Sequence, residues 1–264
     1  MYLQEKNIDS SGRILACDGI HLWLLNYAQF SAHDLSPALL TNDEHEQFLA
    51  YRAEKDRVHF LTRRTILRRI LALYLPLAEN DIVLTTGEFG KPFLSLEQNT
   101  TDLQFNLSHS QGMFAIALMR QCAIGVDIES TKMDIEYESI AALTFSQDET
   151  RQLERLPAHL QRRFFYTVWT RKEALVKASG TGLTDEIRAV STEPEREKCT
   201  VSHDGSLFHI ATVEVEKHYS LSLAYESGEN RPVEQINVFG VSHLPTLHRP
   251  AKTGHRSPAG CTAS

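Results

Sequence analysis

The sequence predicts an α+β fold built from two similar α/β halves, an intramolecular pseudo-dimer. Each half holds a helical segment and antiparallel strands in a loosely repeated order, although no repeat is visible residue by residue. We place the N-terminal half at residues 1–125, the C-terminal half at 126–242 and a disordered tail at 243–264. The tail assignment rests on a stretch rich in Pro, Gly, Ser and basic residues that lacks apolar periodicity.

Patterning in the first half predicts a strand, a helix and further strands. The segment HLWLLNY is strand-like, and a long helical segment follows from about Asp43 to Leu75. A Gly-Lys-Pro turn in FGKPF, residues 89–93, presents Lys91 on a stiff loop. The strand-rich run FAIALMRQCAIGVDIE ends this half, and we interpret it as a hairpin that leads into the second half.

The second half is predicted to contain helices at 136–156 and 159–179, followed by strands near TVSHDGSLFHIATVEV and YSLSLAYE. The later helix includes WTRKEALVKASGTGL, whose segment Lys172 to Ala178 consists mostly of good helix formers. Gly180 and Gly182 stand where a helix usually stops. We therefore expect a long helix that ends just before these glycines.

Composition narrows the class of protein. The chain has 264 residues, 42% of them hydrophobic, with a net charge of −7. Such a charge gives no general attraction to nucleic acid or to an anionic membrane, so anionic ligands must be held by local basic groups. Neither a signal peptide nor a membrane-spanning stretch is evident, which favours a cytoplasmic protein. The four scattered cysteines predict neither a zinc cluster nor a disulfide framework.

The segment IGVDIES carries the first candidate for chemistry. In a strand, Asp127 and Glu129 share one face while the intervening apolar residues share the other. Two carboxylates at this spacing can converge on a hard cation such as Mg²⁺, with water and phosphate completing its ligands. The alternative is a half-buried strand that shows its polar face.

The helix at 159–179 carries the second candidate. Two neighbouring apolar sectors leave Glu173 and Lys177 opposite the first of them, and Trp169 is expected to anchor the helix in the core. The alternative is an exposed Glu-Lys pair one turn apart. Because the second apolar sector lies beside Glu173, we expect this face to be partly covered as well. Glu173 then supplies a third carboxylate, and Lys177 faces the same anion.

Two further segments offer groups for phosphate. In FNLSHS, Ser108 and His109 are predicted at a loop-to-strand junction and can donate hydrogen bonds; the alternative is a turn with a solvent-exposed histidine. In EKDRVHFLTRRTILRRIL, Arg57, Arg64 and Arg68 are predicted to line one helix face, with apolar residues on the other. That basic stripe either binds several phosphates or is a solvated surface.

The order of these segments resembles the 4'-phosphopantetheinyl transferases, specifically their larger, surfactin-synthetase-activating type built as a pseudo-dimer in one chain. The resemblance covers about residues 45 to 185 and includes Phe-Asn-x-Ser-His-Ser, Gly-x-Asp-x-Glu and Phe-Ser-x-x-Glu. Its most specific part is the motif Trp-x-x-Lys-Glu-Ala-x-x-Lys-x-x-Gly-x-Gly-Leu. That motif matches at Trp169, Lys172, Glu173, Ala174, Lys177, Gly180, Gly182 and Leu183.

The resemblance implies transfer of the 4'-phosphopantetheine group of coenzyme A to a serine of an apo acyl or peptidyl carrier protein, with release of 3',5'-ADP. It implies an active site between the halves, where Asp127, Glu129 and Glu173 hold Mg²⁺ against the pyrophosphate. By the same analogy Lys177 and the Ser108-His109 pair contact the phosphates, and Glu173, Lys177 and His109 are the catalytic candidates. Because such a pseudo-dimer closes its own site, a monomer is expected.

For the 3'-phosphate and adenosine end of coenzyme A, the resemblance implies Arg57 and Lys91, with His109 nearby. Some members of this type carry basic residues upstream of the arginine helix, but residues 20–42 here contain no Lys or Arg. Recognition of the 3'-phosphate must then come from other groups. The candidates are Arg52, Lys55, Arg57, Lys91 and His109.

Several assignments stay open at the level of sequence. The base that deprotonates the carrier serine is Glu173, a metal-bound water relayed through a carboxylate, or Glu149. Lys172 is either a structural ion-pair partner or a contact of the leaving phosphate. Competing functions are a metal-dependent phosphodiesterase or nuclease and a non-catalytic docking module for acidic proteins. Neither the carrier nor its pathway follows from the sequence.

Overall fold

The fold was analysed in a computed structural model that describes Ile14 and residues 19–87, 90–227, 235–241 and 244. The tail predicted at 243–264 lies outside the described residues except for Leu244. In chain order the elements are β1 (Ile20–Asn26), α1 (Asn42–Ala50), α2 (Glu54–Tyr74), β2 (Leu84–Thr86), β3 (Pro92–Leu94), β4 (Leu103–Ser110), β5 (Met113–Arg120), β6 (Ile124–Ser130), α3 (Tyr137–Thr144), α4 (Gln147–Arg155), α5 (Ala158–Ser179), β7 (Lys198–His203), β8 (Ser206–Val213), β9 (Tyr219–Glu226) and β10 (Ile236–Phe239). Helices and mostly antiparallel sheets confirm the α+β class.

Two four-stranded sheets form the centre of the molecule. Their strand orders are β10-β1-β5-β4 and β6-β9-β8-β7, and β2 with β3 forms a separate two-stranded ribbon. The sheets pack face to face through apolar side chains of β1 and β5 on one side and of β6 and β9 on the other. Helix α2 packs on the outer face of the first sheet and α5 on the outer face of the second. Each central sheet is therefore covered on both faces.

The helix predicted from Asp43 to Leu75 is interrupted. Helix α1 ends before Tyr51 and α2 begins after Ala53, both of which have extended backbones. The break lets α1 fold back onto α2, where Glu44 forms ion pairs with Arg64 and Arg68. One straight helix would put Glu44 about 30 Å from Arg64, at about 1.5 Å per residue. Because α1 folds back, the charges of Glu44, Arg64 and Arg68 are buried as ion pairs and not singly.

The predicted hairpin at FAIALMRQCAIGVDIE is wrong. β5 pairs with β1 and β4 in the first sheet, whereas among the described strands β6 pairs only with β9, in the second. The chain changes sheets at Gln121, whose φ of 68° is left-handed. The boundary predicted after residue 125 thus falls inside β6, and β10, from the predicted C-terminal half, pairs in parallel with β1.

Polar side chains join the two sheets where β4 and β6 meet. Val126 N donates to Asn106 Oδ1 at 2.9 Å, and Ile128 N donates to Ser108 Oγ at 3.3 Å. Farther along, the amide of Ser130 donates to the hydroxyl of Ser110 at 3.0 Å. β6 lies at the edge of its sheet, so these side chains satisfy backbone donors that lack a strand partner.

Within the described part of the chain, every helix is too short or too polar to cross a bilayer. Cys122 and Cys199 are free thiols, and Cys17 and Cys261 lie outside the described residues.

Candidate active site

A cavity of about 530 Å³ opens where the two sheets meet their helices. Its walls come from α1, α2, the β2–β3 ribbon and β4 on one side and from β6 and α5 on the other. The predicted site residues on these walls are Lys91, Ser108, His109, Asp127, Glu129, Glu173 and Lys177. Segments that are distant in sequence thus supply side chains to one space.

Asp127 is the most buried of the three carboxylates on the cavity wall, with 2% of its surface exposed. Its Oδ1 accepts hydrogen bonds from Ser108 Oγ at 2.8 Å and from Lys177 Nζ at 2.6 Å. Its Oδ2 is buried and accepts no hydrogen bond from the described residues. A buried carboxylate oxygen without a donor is costly, so this atom marks a position for a further positive group.

Glu129 and Glu173 stand beside Asp127 on the same cavity wall. Burial, with the nearby charge of Asp127, raises the pKa of Glu129 to about 7. The hydroxyl of Ser110 donates to Glu129 Oε2 at 2.7 Å and opposes that shift. Burial also raises the pKa of Glu173, against the charge of Lys177. Both shifts come mainly from burial, which disfavours the charged form of each carboxyl group.

These carboxylates do not by themselves make a complete metal-binding set. Among the described residues, no three His, Cys, Asp or Glu side chains are gathered as metal ligands. Lys177 Nζ instead stands against Asp127 Oδ1 and also donates to Ser108 Oγ at 3.2 Å. A cation at this wall would need further oxygen ligands from water or a bound phosphate, as Mg²⁺ commonly does.

His109 lies inside β4, not at the predicted loop-to-strand junction. Because side chains alternate along a strand, it projects to the side opposite Ser108, toward α2. Partial burial, together with the positive charge of Arg63, lowers the pKa of His109 below its ordinary value. The imidazole is therefore neutral at pH 7.

Arg64 and Arg68 of the arginine stripe predicted on α2 do lie on one side of the helix, but α1 covers that side, so the stripe is not a solvated surface. Arg68 is buried in its ion pair with Glu44, and Arg64 shares that partner. Arg57 does not line the cavity in the part of the chain described. The cavity face of α2 instead carries Phe60, Arg63, Arg64 and Leu67, whose i, i+3, i+4, i+7 spacing marks one helical face.

Arg63 was missed by the sequence analysis. Its guanidinium donates to the hydroxyl of Tyr27 at 2.6 Å, and the Tyr27 ring stacks on His59. Within the described residues Arg63 forms no ion pair, so its charge faces the cavity without a carboxylate partner. The spacing around Phe60 and Leu67 was the signal that could have identified it.

Lys172 and Glu149 form a structural pair. Both side chains are fully buried, with Lys172 Nζ 3.0 Å from Glu149 Oε2. Lys172 also donates to the carbonyls of Ile187 and Val190, and Glu149 accepts from the amide and hydroxyl of Thr192. Neither side chain lines the cavity, which excludes Glu149 as the base and Lys172 as a phosphate contact in this arrangement.

Trp169 packs against the buried cluster around Phe165, as predicted, but is not itself a fully buried anchor. It lines the cavity and is only half-buried, packed against Phe165. The helix is anchored instead by fully buried neighbours such as Phe165 and Val168. Trp169 thus forms a flat apolar wall beside Glu173.

Comparisons with known proteins agree with the motifs. Residues 123–225 match the family model described as 4'-phosphopantetheinyl transferase superfamily, and residues 26–121 match 4'-phosphopantetheinyl transferase, N-terminal. The chain is 33% identical over 188 residues to the 4'-phosphopantetheinyl transferase HetI of Nostoc, covering 69% of this chain and 79% of HetI. It is 30% identical over 199 residues to the 4'-phosphopantetheinyl transferase Sfp of Bacillus subtilis, covering 70% and 86%.

Proposed function

Since this chain belongs to the 4'-phosphopantetheinyl transferase superfamily and is a transferase of that class, we propose that it modifies an apo acyl or peptidyl carrier protein. The phosphopantetheine group of coenzyme A is transferred to a carrier serine hydroxyl, and 3',5'-ADP leaves. The observation that carries this proposal is the cavity in which Asp127, Glu129 and Glu173 stand beside Lys177. Acidic groups for a cation and a basic group for phosphate are what phosphoryl-type transfer requires.

Mg²⁺ is the proposed metal. The residues present suit it, because the unpartnered Oδ2 of Asp127 and the neighbouring carboxylates of Glu129 and Glu173 are hard oxygen donors. When bound, Mg²⁺ supplies charge neutralisation for the pyrophosphate and its leaving group. A bound Mg²⁺ would also offset the repulsion between Asp127 and the neighbouring carboxylates, which among the described residues do not form a closed set of three ligands on their own.

The chain's own side chains orient the phosphates and handle the proton. Lys177 and Ser108, already joined by a hydrogen bond, are placed to donate to phosphate oxygens beside Asp127. The neutral ring of His109 can donate one further N–H from the α2 side. Glu173 is the proposed base, since a carboxylate whose pKa is raised by burial accepts the proton of a serine hydroxyl more readily.

Arg63 is proposed to recognise the 3'-phosphate of coenzyme A. It lines the cavity and has no carboxylate partner in the described chain, whereas Arg64 is already paired with Glu44. A planar guanidinium suits a terminal phosphate because it donates two parallel hydrogen bonds. Arg57, our sequence-based candidate, is left as an outer contact for the adenosine end.

An intramolecular pseudo-dimer with its site between the halves is part of the proposal. It is supported by equivalent strand orders: β1 lies beside β5 and β5 beside β4, as β6 lies beside β9 and β9 beside β8. In both halves of the chain a long helix follows the first of these strands and precedes the other two: α2 in the first half and α5 in the second. Because residues from both sheets line one cavity, a monomer with a complete site is expected. The cytoplasmic location stays a prediction from the sequence.

The test is intact-mass measurement of purified apo carrier proteins after incubation with this protein, coenzyme A and Mg²⁺. We expect a gain of one phosphopantetheine group, lost with EDTA and lost with Glu173→Gln. Glu154→Gln, a change of the same kind on the exposed side of α4, should leave the gain intact. Unchanged masses for fatty-acid, polyketide and peptide carriers would reject transfer. Hydrolysis of coenzyme A in the same samples would then support the phosphodiesterase alternative.

A further inference from the structure

Lys91 contacts the protein backbone of the opposite half. The residue leads into β3, and its Nζ donates to the carbonyl oxygen of Lys177 at 2.6 Å and to that of Ile124 at 3.3 Å. The first carbonyl lies in the last turn of α5 and the second at the start of β6. Lys91 forms no ion pair with any carboxylate of the described chain. Its ammonium is therefore committed to two backbone acceptors.

The end of α5 needs such a donor. Carbonyls in the last turn of a helix lack intrahelical partners, and the negative end of the helix dipole favours a cation there. Gly180, with a φ of 75°, ends the helix, and its amide donates to the carbonyl of Val176. The carbonyl of Lys177 thus points beyond the helix toward the ammonium of Lys91.

Gly125 brings both carbonyls within reach of one ammonium. A Cβ built at this position would lie 2.0 Å from the carbonyl oxygen of Ala174, so only glycine lets β6 approach α5 this closely. The same approach places Asp127 of β6 beside Lys177 of α5. The β2–β3 ribbon, α5 and β6 consequently converge on Lys91.

We propose that Lys91 is a positioning residue, which fixes the backbone of Lys177 and thereby holds its ammonium at Asp127 and Ser108. The inference deepens the proposed function and rests on it. Two N–H groups of Lys91 are used by carbonyls, which leaves the 3'-phosphate to other cavity cations such as Arg63. Lys91 acts on the reaction through Lys177 and not through the 3'-phosphate.

Steady-state kinetics with coenzyme A and 3'-dephospho-coenzyme A separate the two roles. We expect Lys91→Met to lower kcat about 10- to 100-fold for both substrates, because small misplacement of a catalytic group is costly. The ratio of the two KM values should stay as in the wild type. A rise in KM for coenzyme A alone would overturn the proposal. Arg63→Gln is the matched comparison, since it should change that ratio.

A double-mutant cycle tests whether Lys91 acts through Lys177. The combined variant Lys91→Met with Lys177→Met should be no slower than Lys177→Met alone, because the positioned group is already gone. If the fold-losses in kcat of the two single variants multiplied in the double variant, the proposal would be contradicted. Should Lys91→Met fold poorly, Lys91→Gln retains an amide donor and is expected to keep an intermediate kcat.

Hydrogen exchange gives a readout that does not depend on the reaction. In protein without substrate, Lys91→Met should speed amide exchange in the last turn of α5, residues 176–181, and leave the first turns of α5 unchanged. Unaltered exchange at 176–181 would overturn the inference even if transferase activity were established. Conversely, a wild-type protein that modifies no carrier would reject the proposed function while this exchange test still stands.

Discussion

The charged side chains at the cavity differ in how well their neighbours balance them. Lys177 is paired with Asp127, and Arg64 with Glu44, so the ligand must compete for both cations. Arg63 has only the hydroxyl of Tyr27 as its partner among the described residues. Glu129 is held by Ser110, yet burial still raises its pKa to about 7. Arg63 and Glu129 are therefore the groups whose interactions we expect to change most when an anionic ligand and a cation bind.

Replacement of Arg63 should reduce affinity for the 3'-phosphate. We expect Arg63→Gln to raise KM for coenzyme A about 10- to 100-fold, since a hydrogen bond to a charged group contributes about 1.5–3 kcal/mol. KM for 3'-dephospho-coenzyme A should change little. The control is Arg155→Gln, a change at an exposed residue of α4. Equal effects on both substrates would assign the 3'-phosphate to another group.

The raised pKa of Glu129 predicts a pH dependence of stability without metal. Because the folded protein binds this proton more tightly than the unfolded chain, the contribution of Glu129 is full below its ordinary pKa of 4.5. It is lost as pH rises to about 7. Denaturant unfolding across this range should therefore show that the free energy of unfolding of the wild type falls relative to that of Glu129→Gln as pH rises. If the free energies of unfolding of wild type and Glu129→Gln kept a constant difference across this range, the shift would be contradicted. A constant difference is expected only for the exposed control, Glu154→Gln, compared with wild type.

Close contact between elements decides where the site lies. α5 packs across β6, β9 and β8, and Gly125 removes the one side chain that would keep β6 away from the helix. On the other side of β6, hydrogen bonds from its amides to Asn106, Ser108 and Ser110 fix its distance from β4. The strand that carries Asp127 and Glu129 is thus held between a helix and a neighbouring sheet.

Substitution of Gly125 should separate these elements. We expect Gly125→Ala to cost about 3 kcal/mol or more, because the added methyl group meets backbone that cannot move as a side chain does. Gly240→Ala is the control, since a Cβ there would meet no atom within 4 Å. Both free energies of unfolding can be measured by denaturant titration. A cost below about 1 kcal/mol for Gly125→Ala would show that β6 and α5 can move apart freely.

At the scale of the whole molecule, the last described strand lies beside the first one. β10 pairs in parallel with β1, and Phe239 stacks on Trp23 with ring centroids 4.9 Å apart. The first sheet is therefore completed by residues that follow the entire second sheet in sequence. Such a connection couples the two sheets, because the first sheet takes its strands from both ends of the described chain, whereas the second is built from the continuous segment between them.

Loss of the Phe239 ring should destabilise the entire molecule. Phe239→Ala is expected to cost about 3–5 kcal/mol and to lower Tm by about 6–20 °C, as for buried aromatic residues in a domain of this size. Val238→Ala, on the exposed face of the same strand with 40% of its surface exposed, should cost far less. Calorimetry should show a single transition in each case. Equal, small effects would mean that β10 contributes little to the first sheet.

The α+β class, most of the helices and strands and most of the charged side chains on the cavity wall could be predicted from the sequence, with Arg63 as the exception. Period-two alternation placed Asp127 and Glu129 on one face of β6, and helical spacing placed Glu173 and Lys177 one turn apart on α5. These are local relations, because they depend only on the geometry of a single strand or helix. The motif resemblance added the family.

Tertiary contacts set the break between α1 and α2, the separation of β5 from β6, and the partners of Lys91, Arg63 and Lys172. Each depends on contacts between distant segments: Glu44 with Arg64, Asn106 with Val126, Lys91 with Lys177. A lysine in a turn has the same local pattern whether its ammonium meets water, a carboxylate or a helix end. Its role depends on which groups of distant segments the fold places near its ammonium. Local periodicity carries no information about the distance to those groups.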